Sequence, residues 1–288
     1  MIPLSRHRLL ASALLLLGGT LLVGASSAEA QVTNGTLETW ATTPTGWTTA
    51  TVPNGTVGVG TTATPIQIAG LTSGSTSAAY LPVGSAMSQD SSSSLTNFSL
   101  SFVVAATDPG NGNRSFNLAL GPQDTNISQS GSLSATFINL KVIGTSTPGT
   151  LQLQTYNGSW QTIGTLQSST FNTGTNTFTT LNAYDFTITG SFSNTYGASR
   201  YTISYLLEGS STPTVISNIS YFQGDPNGSA LGLVEFNGSS SQSGYAIDNI
   251  VLAAVPEPGT NLLLGLGGLL FLTVLGRRSL ERARSIAA

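Results

Sequence analysis

The chain has 288 residues, with 33 Gly, 12 Pro, no Cys, and 9 basic against 12 acidic side chains. Charged residues make up 7% of it, under a third of the ~25% common in soluble domains. Scarcity of that order excludes a basic nucleic-acid binder, which needs clustered Lys and Arg, and a highly charged disordered tail.

Residues 1–30 read as a secretory signal peptide. Arg6, His7 and Arg8 give a positive start, Leu9 to Val23 an apolar run, and Ala28-Glu29-Ala30 a small-x-small cleavage site. Gln31 is then the expected new N-terminus, and the secretion translocon the first partner. Between residues 31 and 255 only Arg114, Lys141 and Arg200 are basic, against nine acids, so this stretch carries a net −6. The one histidine, His7, lies in the signal. Without cysteine an exported domain has no disulfide to brace it. A conventional core must hold it, and ~220 residues are enough to bury one.

Residues 31–254 are expected to form one all-β domain. Apolar residues alternate with Ser and Thr at Phe98-Leu100-Phe102-Val104, Ile138-Leu140-Val142, Leu151-Leu153, Phe186-Ile188, Tyr201-Ile203-Tyr205-Leu207 and Val215-Ser217-Ile219-Tyr221. Period two marks half-buried strands, with hydroxyls serving as the solvent face. Asn-Gly occurs six times, starting at Asn34, Asn54, Asn111, Asn157, Asn227 and Asn237, and is a strong hairpin signal because both residues tolerate positive φ. Ser91–Ser94 and Ser239–Ser241 read as loops. Ten to thirteen short strands with turns between them give an antiparallel β-sandwich of jelly-roll type. A solenoid would need a fixed period, and none is visible.

Neither His nor Cys lies in this stretch, so a Ser-His-Asp triad, a Cys nucleophile and a His-ligated zinc have no residues to build them. Asp185, Glu208 and Glu235 could in principle serve as paired carboxylates for glycoside hydrolysis. That leaves a glycosidase as the third reading, behind a non-enzymatic surface protein and a carbohydrate binder. For sugar contact the candidate rings are Trp47, Tyr156 and Trp160, with Trp40 and Tyr184 also available; the competing reading of each is core packing.

The opening Val32-Thr33-Asn34-Gly35-Thr36-Leu37-Glu38, followed by Trp40 and Trp47, is similar to the first strand of jelly-roll carbohydrate-binding modules. Ala246-Ile247-Asp248-Asn249-Ile250-Val251-Leu252 resembles their closing strand. The resemblance implies that these two strands lie side by side, the first beginning near Val32. It makes Glu38 and Asp248 candidate ligands of a structural Ca²⁺ at a sheet edge. Tyr156-Asn157-Gly158-Ser159-Trp160 looks equally like a hairpin of a concanavalin or laminin-G type sandwich.

Residues 255–288 form the C-terminal segment. Val255-Pro256-Glu257-Pro258-Gly259 can continue neither strand nor helix, because each proline lacks an N–H and fixes φ. Residues 259–276 carry no charge, and ~18 residues at ~1.5 Å each just cross a thin bilayer as a helix. Arg277 and Arg278 follow and hold that end in the cytoplasm. Pro256-Glu257-Pro258, the apolar span and the Arg cluster together resemble the PEP-CTERM sorting signal of bacterial exported proteins. The resemblance implies cleavage by an exosortase-type enzyme, transient anchoring in the inner membrane, and release to the cell surface or extracellular matrix. The tail Ser279–Ala288 is longer than that pattern usually has.

Overall fold

The structure, a computed structural model, describes residues 30–51, 64–122, 136–192, 200–222, 230–237 and 243–255. Pro256, Glu257, Pro258, Arg277 and Arg278, the apolar span, residues 1–29, Asn54, Asn227 and Ser239–Ser241 lie outside the described residues. Strands follow the alternation of apolar and hydroxylated residues. Phe98, Leu100, Phe102 and Val104 are buried, while Ser99 and Ser101 between them stay half-exposed.

Two seven-stranded sheets pack face to face. The first runs in the order β14 (Thr214–Ser220), β13 (Arg200–Leu207), β12 (Tyr184–Ser191), β5 (Asn97–Ala106), β16 (Tyr245–Ala254), β3 (Ser77–Leu81) and β2 (Ile66–Ala69). The second runs β1 (Thr48–Thr51), β4 (Ser85–Leu95), β15 (Leu231–Asn237), β6 (Arg114–Gly121), β7 (Ile138–Gly144), β8 (Thr150–Tyr156) and β9 (Trp160–Gln167). A separate hairpin joins β10 (Thr170–Asn172) to β11 (Thr177–Thr180). All the ladders between these strands are antiparallel, as in β12–β5 and β6–β7. The chain crosses between sheets from β3 to β4, β4 to β5 and β5 to β6, and again on either side of β15. No helix occurs among the described residues, and Ala30–Val255 form one compact unit. The fold is therefore an all-β antiparallel sandwich.

The core between the sheets is aromatic at its centre. Phe102 stacks on Phe186 of its own sheet at 5.3 Å and meets Phe236 of the other edge-on at 5.4 Å. A second, smaller cluster lies on the opposite face of the first sheet, where Val103, Ala105 and Tyr80 are covered by Phe171 and Phe178 of the β10–β11 hairpin. Sequence alternation alone does not disclose that cover.

Several expectations need correction. The described residues hold sixteen strands, more than the ten to thirteen expected, because short edge strands such as β10 and β11 carry little pattern. Ser91–Ser94 lie within β4 rather than in a loop. Their hydroxyls and amides are bonded locally and to the N-terminal segment: Ser92 N–H donates to the Gln31 carbonyl at 2.9 Å, and the Ser92 and Ser93 hydroxyls both reach Gln31 Oε1. Among the described Asn-Gly sites, Asn157-Gly158 turns a hairpin, between β8 and β9. Asn111-Gly112 links strands of different sheets, Asn237 ends β15, and Asn34-Gly35 makes no hairpin. In β14 the expected inward face holds after Asn218 and is reversed before it. Val215 is exposed, whereas Ile216 and Ile219 pack on the core. A register shift opposite β13, with Asn218 at φ 63°, inserts the residue that changes which side faces inward.

Candidate functional site

No strand begins at Val32. Residues 31–36 instead run as irregular backbone beside β16, held by Gln31 N–H to the Leu252 carbonyl and Ile250 N–H to the Gly35 carbonyl, both at 2.7 Å. A Cβ on Gly35 would lie 1.8 Å from the Ile250 oxygen, so glycine is required here for close approach of two backbones. The path brings Glu38 to the loop between β2 and β3. Asp248 reaches the same loop from β16, a central strand and not an edge. The β16–β3 ladder ends at Ile247, and β16 bulges after Asp248, with Asn249 at φ 50°.

The two carboxylates clamp that loop from opposite sides. Asp248 Oδ2 accepts from Leu71 N–H at 3.0 Å and Oδ1 from Asn249 N–H at 2.7 Å. Glu38 accepts from Thr76 N–H at 2.8 Å, from the Thr76 hydroxyl, and from Ser77 N–H at 3.4 Å. Asp248 is fully buried and Glu38 exposed. Burial pushes the Asp248 carboxyl above the usual aspartate range, and the nearby Glu38 charge adds to the rise. Bonds from Thr76 hold Glu38 below the usual range. No cation among the described residues contributes to either shift.

Ser75 shows whether a metal ion suits this place. Its hydroxyl lies 3.3 Å from Glu38 Oε1 and 2.9 Å from the Ser77 carbonyl, and it also reaches the Asp248 carboxylate. One proton cannot serve three acceptors at once. A hard divalent cation, with a shell of six to eight oxygens, relieves such a surplus, so the donor set fits Ca²⁺. Among the described residues no group of three or more acidic, His or Cys side chains gathers. Carbonyls, hydroxyls and water would have to complete the shell.

The aromatic candidates separate. Trp47 belongs to the core: it is 5% exposed, packs on Phe236 at 6.1 Å, and donates from Nε1 to the Asn34 carbonyl. Tyr184 is also buried, its hydroxyl accepting from Gln167 N–H at 2.8 Å. Trp40 packs against the core and donates to the Leu37 carbonyl. Tyr156 and Trp160 are different. They are cross-strand partners on β8 and β9, half-buried, with ring centroids 5.1 Å apart, and Phe222 meets Tyr156 edge-on at 4.6 Å.

These rings sit beside a polar strip on the face of the second sheet turned away from the core. Leu140, Val142, Leu151 and Leu153 point into the core, which sends Lys141, Gln152 and Gln154 to the other side. Lys141 Nζ lies 3.9 Å from the Trp160 ring centroid, a cation–π contact. Gln154, directly opposite Lys141, donates to Thr162 Oγ1 at 3.1 Å, while its buried Oε1 has no partner among the described residues. Lys141, Gln154 and Phe222 were not singled out as site residues from sequence. Their placement depends on register, although Lys141 stands out as one of three cations.

The paired-carboxylate candidates do not flank a cleft. Burial raises the Glu208 carboxyl, helped by the charge of and a hydrogen bond with Asp185. Carboxyls in hydrogen-bond contact leave no room for a sugar between them, since glycosidases need ~5–9.5 Å of separation. Glu235 is in the other sheet. A cleft of about 940 Å³ opens beside the β10–β11 hairpin, lined by Ile66, Asp108, Asn176 and the stacked pair Tyr80–Phe171 at 3.8 Å. Asp108 is occupied there, accepting from Gly110 N–H and Gly149 N–H.

No protein-family model matches the chain, and no curated protein matches it. Among solved structures it is similar to a carbohydrate esterase from Shiga toxin-encoding bacteriophage phi24B, at 10% identity over 73% of this chain and 91% of that one, TM-score 0.40. Lectin I-B4 from Griffonia simplicifolia in metal-free form matches at 12% identity over 74% and 95%, TM-score 0.39. Carbohydrate-binding module CBM66 from Bacillus subtilis matches at 13% identity over 73% and 96%, TM-score 0.34. At these values the likeness is one of general outline, and it carries nothing about ligand.

Proposed function

We propose that residues 31–254 are a non-enzymatic glycan-binding module of an exported protein. The observation that carries this reading is the half-buried Tyr156–Trp160 pair, set beside Gln152, Gln154 and Thr162 on a polar sheet face. Flat rings meet the apolar face of a pyranose, and fixed amides and hydroxyls pair with its hydroxyls. A structural Ca²⁺ held by Glu38 and Asp248 would fix the β2–β3 loop. A glycan array probed with wild type and Trp160→Ala tests the binding. Loss of a central aromatic anchor is expected to weaken the best ligand about thirtyfold, and a silent array would end the proposal. Phe171→Ala, in the cleft, is expected to leave that ligand bound.

Delivery is the second half of the proposal. The signal peptide takes the chain to the translocon, the apolar span anchors it in the inner membrane, and an exosortase-type enzyme cuts near Pro256-Glu257-Pro258. The product is retained at the surface or in the extracellular matrix. Mass spectrometry of protein from its native host is expected to find a C-terminus between about residues 255 and 260. A single stable form ending at Ala288 would refute processing.

A further inference from the structure

Two of the three cations between residues 31 and 255 stand together. Arg114 on β6 pairs with Ile143 of β7, and Lys141 lies two residues along β7 on the same face. This makes them diagonal neighbours within reach of long side chains. Each is half-buried. Burial lowers the Arg114 guanidinium; burial and then the Arg114 charge lower the Lys141 ammonium to about 8. No carboxylate acts on either among the described residues. Desolvated charges are normally paired, yet among the described residues the charge that acts on Lys141 is the like charge of Arg114. Lys141 also adjoins the Trp160 ring and lies opposite Gln154, whose Oε1 has no partner among the described residues.

We infer that the ligand of this face is an anionic sugar, a uronate or sulfated residue of a polysaccharide, whose negative group is taken by Lys141 and Arg114 beside Trp160. The inference rests on the glycan-binding reading and narrows it to one chemical class. An anion supplies the missing counter-charge, and partial desolvation makes each contact stronger than a surface ion pair. The net −6 of the stretch opposes an anion in general, and the paired charges of Lys141 and Arg114 offset that locally.

The test uses the full-length chain in a non-glycosidic detergent and two matched pairs of probes. Oligogalacturonate is compared with its methyl ester, and dextran sulfate with dextran, by titration calorimetry at low salt. At least one charged probe is expected to bind about tenfold or more tighter than its neutral partner, and which one does so identifies carboxylate or sulfate as the group recognised. Lys141→Gln and Arg114→Gln, checked for native circular dichroism, are expected to remove that preference without abolishing neutral binding. The preference is also expected to shrink between pH 7 and 9 as Lys141 loses its proton. Across the ladders flanking Lys141, β6 contributes Arg114 and β8 the Tyr156 phenol as titratable or charged groups. Equal binding of charged and neutral partners overturns the anionic class and leaves the glycan reading standing. Absence of binding to all four overturns both.

Discussion

Replacing Phe102 by alanine is expected to destabilise the domain by ~3–5 kcal/mol, the range for truncating a buried aromatic. Phe102 is 1% exposed and touches rings from both sheets, Phe186 on one side and Phe116 and Phe236 on the other. Its removal opens a cavity where the sheets meet, in a close-packed setting that relaxes only in part. Against a total stability of ~5–15 kcal/mol the loss is a large fraction, and the melting temperature should fall by about 6–20 °C. Ser101→Ala, one residue away on the other face of β5, should stay within ~0.5 kcal/mol. Chemical denaturation of both variants checks the contrast. Equal effects would mean that the strand faces are assigned wrongly.

Millimolar calcium is expected to raise the melting temperature of chelator-treated protein by roughly 5–10 °C, the shift for a ligand at ~100 times its Kd in a domain of this size. Glu38→Gln should abolish most of the response, because its side chain lies at the exposed end of the cluster and the fold tolerates the change. Asp248→Asn should lose the response and also melt lower in chelator, since an amide places a donor against Leu71 N–H or Asn249 N–H. The pH dependence adds a sign. Burial holds the Asp248 carboxyl above its unfolded value of ~3.9, so the folded state binds that proton more readily. In chelator, mild acidification from neutral pH therefore adds stability through Asp248. Glu38, held below its unfolded value, contributes stability above that value and loses it as pH falls through its lower, folded one. Bound calcium favours both ionised forms, and acidification should then only destabilise. Identical melting temperatures with and without calcium would remove the site.

The strands were legible wherever alternation ran unbroken, as from Phe98 to Val104 or Ile138 to Val142, because a two-sided sheet demands period two. Legibility failed where one residue changed the parity. In β14 the left-handed Asn218 turns Ile216 inward and leaves Val215 exposed, and nothing in Thr-Val-Ile-Ser-Asn-Ile-Ser distinguishes the two patterns. Asn34-Gly35 shows a related ambiguity: the same dipeptide that turns a hairpin also permits one backbone to touch another. Of the candidate sites, Glu38, Asp248, Tyr156 and Trp160 are proposed from local sequence, and the structure brings Glu38 and Asp248 to one loop and Tyr156 beside Trp160. The cations could not be picked out in this way, because Arg114 and Lys141 are 27 positions apart and meet only through the β6–β7 register.

The bulge in β14 also bears on how one copy of this chain meets another. Among the described residues β14 ends its sheet, and its seven residues include no proline and no charge, the usual guards of an open strand. A straight edge of that composition would offer its free amides and carbonyls to the edge of a neighbouring molecule and template a growing stack. The left-handed turn at Asn218 bends the hydrogen-bonding row out of line, so a second strand cannot lie flat along it. In so weakly charged a protein, electrostatic repulsion between copies is small, and the shape of margins such as this one then bears more of the burden of solubility.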